Sequence, residues 1–391
     1  MFDEENCNRC GVCLNKCPFM QLPIEEAKEE VSNMIETKNS NKIIYDCALC
    51  GYCDIICPTK CHPSTLRSEI KWKKFNEKGL PILAFMSEGN PYNAMLIWSE
   101  TFTEDQKRDI EQYTNPPKSK EMFYVGCQIP YKFPYLAKTN LLEEFPKVGG
   151  IKYCCNIYTY SFLGEDEAKI QGLELLNKFE KIGVEKLIFL CPGCFRMFNT
   201  VYPSLVEGFD IECQNIHDYL LEKYHKGELD LKNKIDQRIT FHDPCEWRHL
   251  DKKIYDSARE FLEILGTEIV EMKHSKEKSL CCGLPIQPSN RSLASKMTRK
   301  RMSEAKEIDV DGIVFSCFGC ISTLSPSAAK KKIKPYYITE LAQLAIGENI
   351  SHHDIPGTTE KYDTYLLNKI VKNPKLIEEK YILKKGEITR I

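Results

Sequence analysis

"KLIFLCPGC" (residues 186–194) and "GIVFSCFGC" (residues 312–320) decide the fold. Each is a short apolar run, rich in β-branched and aromatic residues, that stops at a C-x2-C pair. Such runs form strands buried on both faces, as in parallel sheets. The cysteines then fall just past the C-terminal edge of a sheet, where open α/β sheets build their sites.

Working outward, the same order of words occurs on either side of each run. "EMFYVGC" and "RITFHDPC" are short strands ending at Cys127 and Cys245. Helical segments follow ("YLAKTNLLEEF", residues 135–145; "YDSAREFLEIL", residues 255–265), then adjacent cysteines in "KYCCNIY" (Cys154, Cys155) and "SLCCGLP" (Cys281, Cys282). Next come helices in "AKIQGLELLNKFEKIG" and "SLASKMTRKRMSEAKE", then the two opening strands with Cys191/Cys194 and Cys317/Cys320. "QNIHDYLLEK" and "YYITELAQLA" close each half as a strand running into a helix. Cys127 and Cys245, Cys154 and Cys281, Cys191 and Cys317 are 118, 127 and 126 positions apart. An internal duplication of α/β parallel-sheet halves explains this pattern.

Adjacent thiols cannot readily serve each other: neighbouring Cα atoms lie ~3.8 Å apart, below the usual ~4.4 Å minimum for a disulfide. Each half therefore gathers five thiols at its sheet edge. A cubane takes four, so either the cluster is unusual or one thiolate moves during turnover. The plain alternative is buried structural cysteine, since free Cys packs as a small hydrophobe; it fits an isolated case such as Cys213 in "IECQNI".

The first sixty residues carry a different pattern. "CNRCGVCLNKCP" and "CALCGYCDIICP" both match C-x2-C-x2-C-x3-C-P, the run that wraps [4Fe–4S] cubes. In two-cluster ferredoxins the fourth cysteine reaches the other cluster. This assigns one cube to Cys7, Cys10, Cys13 and Cys57, and a second to Cys47, Cys50, Cys53 and Cys17. Zinc or loose thiols are the alternatives, although zinc sites pair C-x2-C units with each other or with histidine. "IEEAKEEVSNMIETK" between the runs favours helix, so the ferredoxin part is expected to be all-helical. Cys61 is surplus, a free thiol or an alternative ligand.

The remainder bounds the class. The formal charge of −2 over 391 residues gives no case for nucleic acid. No leader-like segment opens the sequence, and the longest apolar runs are too short to cross a bilayer. Twenty cysteines in a reducing compartment point to metal, and a cytoplasmic location is expected, peripheral to a membrane only through a partner. No G-x-G-x-x-G occurs, so neither flavin nor NAD is expected in this chain. Phe85, Trp98 and Phe102 read as packing residues, and "TNPPKSKE" as a linker.

The expected fold class is α+β overall. It comprises a helical two-cluster ferredoxin domain (1–75), a linker (76–121), two α/β halves (122–230 and 235–345) and a lysine-rich extension (346–391) suited to docking a partner.

On these residues, with "HDPC", the "YDSARE" helix and "GNPYNAMLIW", the chain resembles the cysteine-rich CCG domains of heterodisulfide reductase fused behind a helical ferredoxin module. Similar chains serve as iron–sulfur subunits of glycerol-3-phosphate and lactate dehydrogenases. The resemblance implies that Cys127, Cys154, Cys155, Cys191 and Cys194 bind one non-cubane [4Fe–4S] cluster. It implies the same of Cys245, Cys281, Cys282, Cys317 and Cys320, with the two clusters facing each other to split a disulfide of the CoM-S-S-CoB kind. The first motif departs from it, reading Asn156 where the second has Gly283; asparagine is the best substitute if φ is positive there.

Three functions are compatible with the sequence. One is a disulfide reductase, fed by a flavoprotein or other electron-donating subunit. In it, Arg196 or Arg248 either holds an acidic substrate tail or simply lies solvated at a helix start, and His242 and Asp243 either deliver a proton or shape the turn before Pro244. The second is the iron–sulfur subunit of a flavin-dependent dehydrogenase that passes electrons to quinone. The third is a scaffold of a larger redox complex. Ten thiols in matched fives favour the first, because a relay is served by cubes alone.

Overall fold

The computed structural model describes residues 1–350 and 353–391. Its first 79 residues are helical and contain no strand. Each cysteine run bends through a left-handed glycine, Gly11 (φ 75°) or Gly51 (φ 71°), into a single helical turn, Val12–Asn15 or Tyr52–Ile55. A Cβ on Gly11 would sit 2.9 Å from the Lys28 backbone nitrogen, so only glycine fits. The helix Ile24–Thr37 buries Ala27, Val31, Met34 and Ile35, one face at helical spacing. Leu66 and Ile70 of the helix Pro63–Lys78 complete this small core.

The two halves repeat one topology. In the first, β1 (Glu121–Gly126), β2 (Lys147–Gly149), β3 (Lys186–Phe189) and β4 (Glu212–Asn215) form a parallel sheet of order β2-β1-β3-β4. In the second, β5 (Arg238–His242), β6 (Glu268–Ile269), β7 (Gly312–Phe315) and β8 (Lys334–Tyr337) are ordered β6-β5-β7-β8, again all parallel. Met122, Phe123, Tyr124 and Val125 are fully buried, as are Ile313, Val314 and Phe315, so helices cover both faces of the central strands. One apolar core runs through both sheets.

Two expectations need correction. Residues 135–145 form no α-helix: the structure has 3-10 turns at Pro134–Leu136 and Asn140–Leu142. Thr139 is extended (φ −145°, ψ 147°) and its hydroxyl accepts from Leu141 N at 3.2 Å, a local bond that competes with helix, while Pro146 stops any continuation. The counterpart in the second half, Lys253–Ile264, is a regular helix. The adjacent cysteines also differ from the other thiols in placement. A 3-10 turn separates β2 from Cys154, and β6 ends twelve residues before Cys281.

Residues past 353 pack on their own chain. The helix Ile355–Lys372 lies against the helix Phe318–Lys330 and against Ala94–Ser99. Trp98 meets Phe102, Tyr362 and Tyr365 edge-on. The hairpin of β9 (Tyr381–Lys384) and β10 (Glu387–Arg390) exchanges backbone bonds of 2.8 and 2.9 Å with Leu80.

Candidate iron–sulfur sites

The N-terminal runs exchange partners across the module. A cavity is lined by Cys7, Cys10 and Cys13 from the first run and by Cys57 from the second. Cys61 lines it too, with its sulfur 3.5 Å from that of Cys57. On the other side, Cys17 acts electrostatically on Cys50, and Cys47 on Cys53. Burial pushes the Cys50 thiol up to about 12 and raises Cys53 and Cys13 as well. Thiols that resist ionisation in an apolar shell need a cation to become thiolates, and bound metal supplies one. Arg67, 3 % exposed, lies within electrostatic reach of Cys53, Cys47, Cys13 and Cys17 and donates to the Cys13 carbonyl at 2.8 Å. No spacing in the sequence marks this cation between the two groups.

Each half brings its five cysteines into a chain of thiol contacts, and the order is the same. In the first, Cys127 bonds Cys154, Cys154 bonds Cys155, Cys155 bonds Cys194 and Cys194 bonds Cys191. In the second, the chain is Cys245, Cys281, Cys282, Cys320, Cys317. Donation from Cys127 and Cys155 holds Cys154 well below the ordinary thiol range, and donation from Cys281 and Cys320 brings Cys282 down to about 6. Exposure repeats as well. Cys154, Cys155 and Cys194 are buried, as are Cys281, Cys282 and Cys320, whereas Cys127, Cys191, Cys245 and Cys317 are only half-buried.

Local backbone explains the paired cysteines. Asn156 is left-handed at φ 54° and Gly283 at φ 99°, so both motifs turn sharply after the second thiol. Asn156 steadies its turn by donating Nδ2 to the Cys154 carbonyl at 2.9 Å. Tyr202 Oη donates to the Cys155 carbonyl at 2.8 Å, and Thr298 Oγ1 to that of Cys282 at 3.0 Å.

Among the described residues, no three Cys, His, Asp or Glu side chains are arranged to hold a single metal ion. A four-iron cluster makes a different demand, since its ligands bind separate irons. Soft thiols, an apolar wall and matched ligand chains fit iron–sulfur clusters at all four places.

The two five-thiol sets face each other. Tyr337 ends β8 fully buried, and its hydroxyl donates to the carbonyl of Ser316 at 2.6 Å and to that of Leu190, the residues preceding Cys317 and Cys191. Tyr158 lies within electrostatic reach of Cys127 on one side and of Cys317 and Cys282 on the other. Neither tyrosine belongs to a motif of the sequence. Aligning the halves marks Tyr337, because Asn215 holds its place in the first.

The charged candidates are committed elsewhere. Arg196 pairs with Glu246 at 2.7 Å across the halves and lies over the Tyr160 ring, so it is not free to anchor a substrate. Arg248 donates to the carbonyls of Cys50 (2.6 Å), Glu277 (2.8 Å) and Ser279, tying the N-terminal module to the second half. His242 Nδ1 accepts from Arg301 Nε at 2.9 Å. Asp243 takes both arms of Arg259 and the Lys276 backbone N–H at 2.7 Å, which makes it a turn-shaping residue. Cys213 lies half-buried on β4, apart from both sets.

Comparison with known proteins agrees with this arrangement. The cysteine-rich CCG domain matches residues 122–199 and 239–325, and the 4Fe-4S dicluster domain matches residues 4–61. An iron–sulfur chain of the dihydromethanophenazine:CoB–CoM heterodisulfide reductase of Methanosarcina barkeri is 26% identical over 408 residues, covering 90% of this chain and 96% of that one. Its counterpart from Methanosarcina acetivorans is 24% identical over 370 residues, covering 82% and 88%. The EtfAB:quinone oxidoreductase of Syntrophomonas wolfei is 24% identical over 355 residues, 72% of this chain and 48% of that one. The chain is thus an iron–sulfur protein with a 4Fe-4S dicluster domain and two CCG domains, homologous to the heterodisulfide reductase chains of Methanosarcina and to other iron–sulfur oxidoreductases.

Proposed function

We propose that the protein is the disulfide-reducing subunit of a redox complex, taking electrons at its N-terminal module and delivering them in pairs at the seam between the CCG halves. Reduction of a disulfide consumes two electrons and two protons and yields two thiols; the electrons come from a flavoprotein or similar donor. Two cubanes on Cys7, Cys10, Cys13, Cys57 and on Cys47, Cys50, Cys53, Cys17, with a non-cubane [4Fe–4S] cluster on each five-thiol set, would supply one-electron steps and iron that accepts sulfur.

The observation that carries this reading is the matched exposure of the two sets. Six of the ten thiols are buried and locked by backbone turns, while the same two positions of each set stay half-open. A pure relay has no use for four reachable thiols on two facing sets. Tyr337 and Tyr158 keep the halves in register between them and fill the space with ring rather than water. Arg248 seats Cys50 within electrostatic reach of Cys245 and Cys281, which makes the second half the one nearest the N-terminal module.

Similarity to the EtfAB:quinone oxidoreductase supports a second reading, electron delivery to quinone. One experiment separates the two. The anaerobic protein is reduced with a dye and then mixed with disulfides or, separately, with quinones. Reoxidation by a disulfide is expected; reoxidation by quinone alone, with disulfides inert, favours the second reading instead.

A further inference from the structure

A pocket of about 510 Å³ lies away from the seam, within the size range of small-molecule sites. Four parts of the chain wall it: residues 86–89, the loop carrying Lys152, Cys154 and Asn156, the helix Glu165–Ile182, and residues 386–388 at the turn of the C-terminal hairpin. Tyr158 and Tyr337, which mark the seam, do not line it. Cys154 does, so the pocket meets the first five-thiol set on a different side from the second half.

Its polar lining is unusual in two ways. Gln171 is 7 % exposed, and its Oε1 has no hydrogen-bond partner. A buried acceptor left unpaired costs roughly 1–3 kcal/mol, a cost that a ligand N–H would remove. The charged walls also carry both signs: Lys152 and Lys178 stand with Glu88, Glu174 and Glu387. The Lys178 ammonium donates to the Lys152 carbonyl at 2.8 Å and lies 3.7 Å from Glu88, close enough to bind a second carboxylate without moving far. Lys152 is held by Asn115 Oδ1 at 3.0 Å. A purely anionic ligand would face three carboxylates, and a purely cationic one two ammonium groups.

We propose that this pocket binds a small zwitterionic thiol of amino-acid or short-peptide type, with an N–H on Gln171 Oε1, its carboxylate on Lys178 and its ammonium among the glutamates. The assignment rests on the disulfide-reductase reading and names the substrate or product class for it. It concerns binding only; no bond is made or broken in the pocket.

Calorimetry on the cluster-loaded protein, kept anaerobic, tests it with glutathione as the probe. The control is glutaryl-cysteinyl-glycine, which lacks only the ammonium. Glutathione is expected to bind, with about tenfold loss for the des-amino analogue and about tenfold loss for glutathione in each of Gln171→Leu and Lys178→Glu. The melting temperature of Gln171→Leu should not fall, because an apolar group in place of an unpaired buried one is neutral or stabilising. Lack of glutathione binding, equal affinity for the two peptides, or unaltered affinity in either variant overturns the assignment. The dye assay keeps the two readings apart. If disulfides reoxidise wild type and Gln171→Leu alike, the pocket is not the substrate site and the reductase reading stands. If glutathione binds through Gln171 while disulfides stay inert, the reductase reading fails and the pocket remains a binding site.

Discussion

Asn156 and Gly283 hold the same left-handed step after an adjacent cysteine pair, with different residues. Glycine takes this conformation freely and asparagine at small cost, whereas a β-branched side chain is strained there by roughly 1–2 kcal/mol. Asn156→Gly should therefore keep the first five-thiol set intact and lose only the 2.9 Å bond to the Cys154 carbonyl. Asn156→Val should lower stability by about 1–2 kcal/mol and lower the iron content of the first half, measured by thermal melting and iron analysis. Iron content equal to wild type in the valine variant would show that the turn does not govern the set. This position was legible in the sequence, because a C-C-G and a C-C-N motif share one backbone requirement. Arg67, Tyr158 and Tyr337 were not. Their importance lies in which distant groups they meet, and no spacing rule encodes that.

At the scale of elements, the strands that end in cysteine were readable because their composition and their punctuation agree: β3 and β7 are apolar to the last residue and stop at C-x2-C. The segment 135–145 misled because its apolar spacing is helical while Thr139 bonds its own backbone. Short polar side chains override periodicity in this way. The seating of the N-terminal module was invisible for another reason: it depends on contacts nearly two hundred positions apart. Arg248 makes three of them, and Ser289 and Asn290 add bonds of 3.0 and 2.8 Å to Tyr45 and Asp46. Arg248→Gln should cost about 1–3 kcal/mol, the range for charge-assisted bonds to carbonyls. Stopped-flow mixing should also show slower reoxidation of the dye-reduced N-terminal module by a disulfide. Arg248→Lys keeps the charge without the planar fork and should fall between the two. A wild-type rate in the glutamine variant would mean that electrons reach the halves by another approach.

The whole molecule is a duplicated sheet pair with a helical module on its second half and a C-terminal hairpin closing a pocket against its first. The module and the hairpin occupy different sides, so electron entry and the proposed thiol pocket do not compete for one surface. Repetition made this architecture accessible from sequence, since every cysteine of one half has a partner in the other and the sheets share one strand order. The tail was harder to place. Its lysines and glutamates read as a solvated arm, yet Glu167 accepts the backbone N–H of Lys385 and of Gly386 and fastens the hairpin to the first half. The central claim is that both five-thiol sets hold iron. Its most direct measurement is iron and acid-labile sulfide per chain in anaerobically purified protein, wild type beside Cys154→Ser and Cys281→Ser. Four clusters predict about sixteen irons, with about four lost in each serine variant; about eight irons in all three proteins would contradict the account.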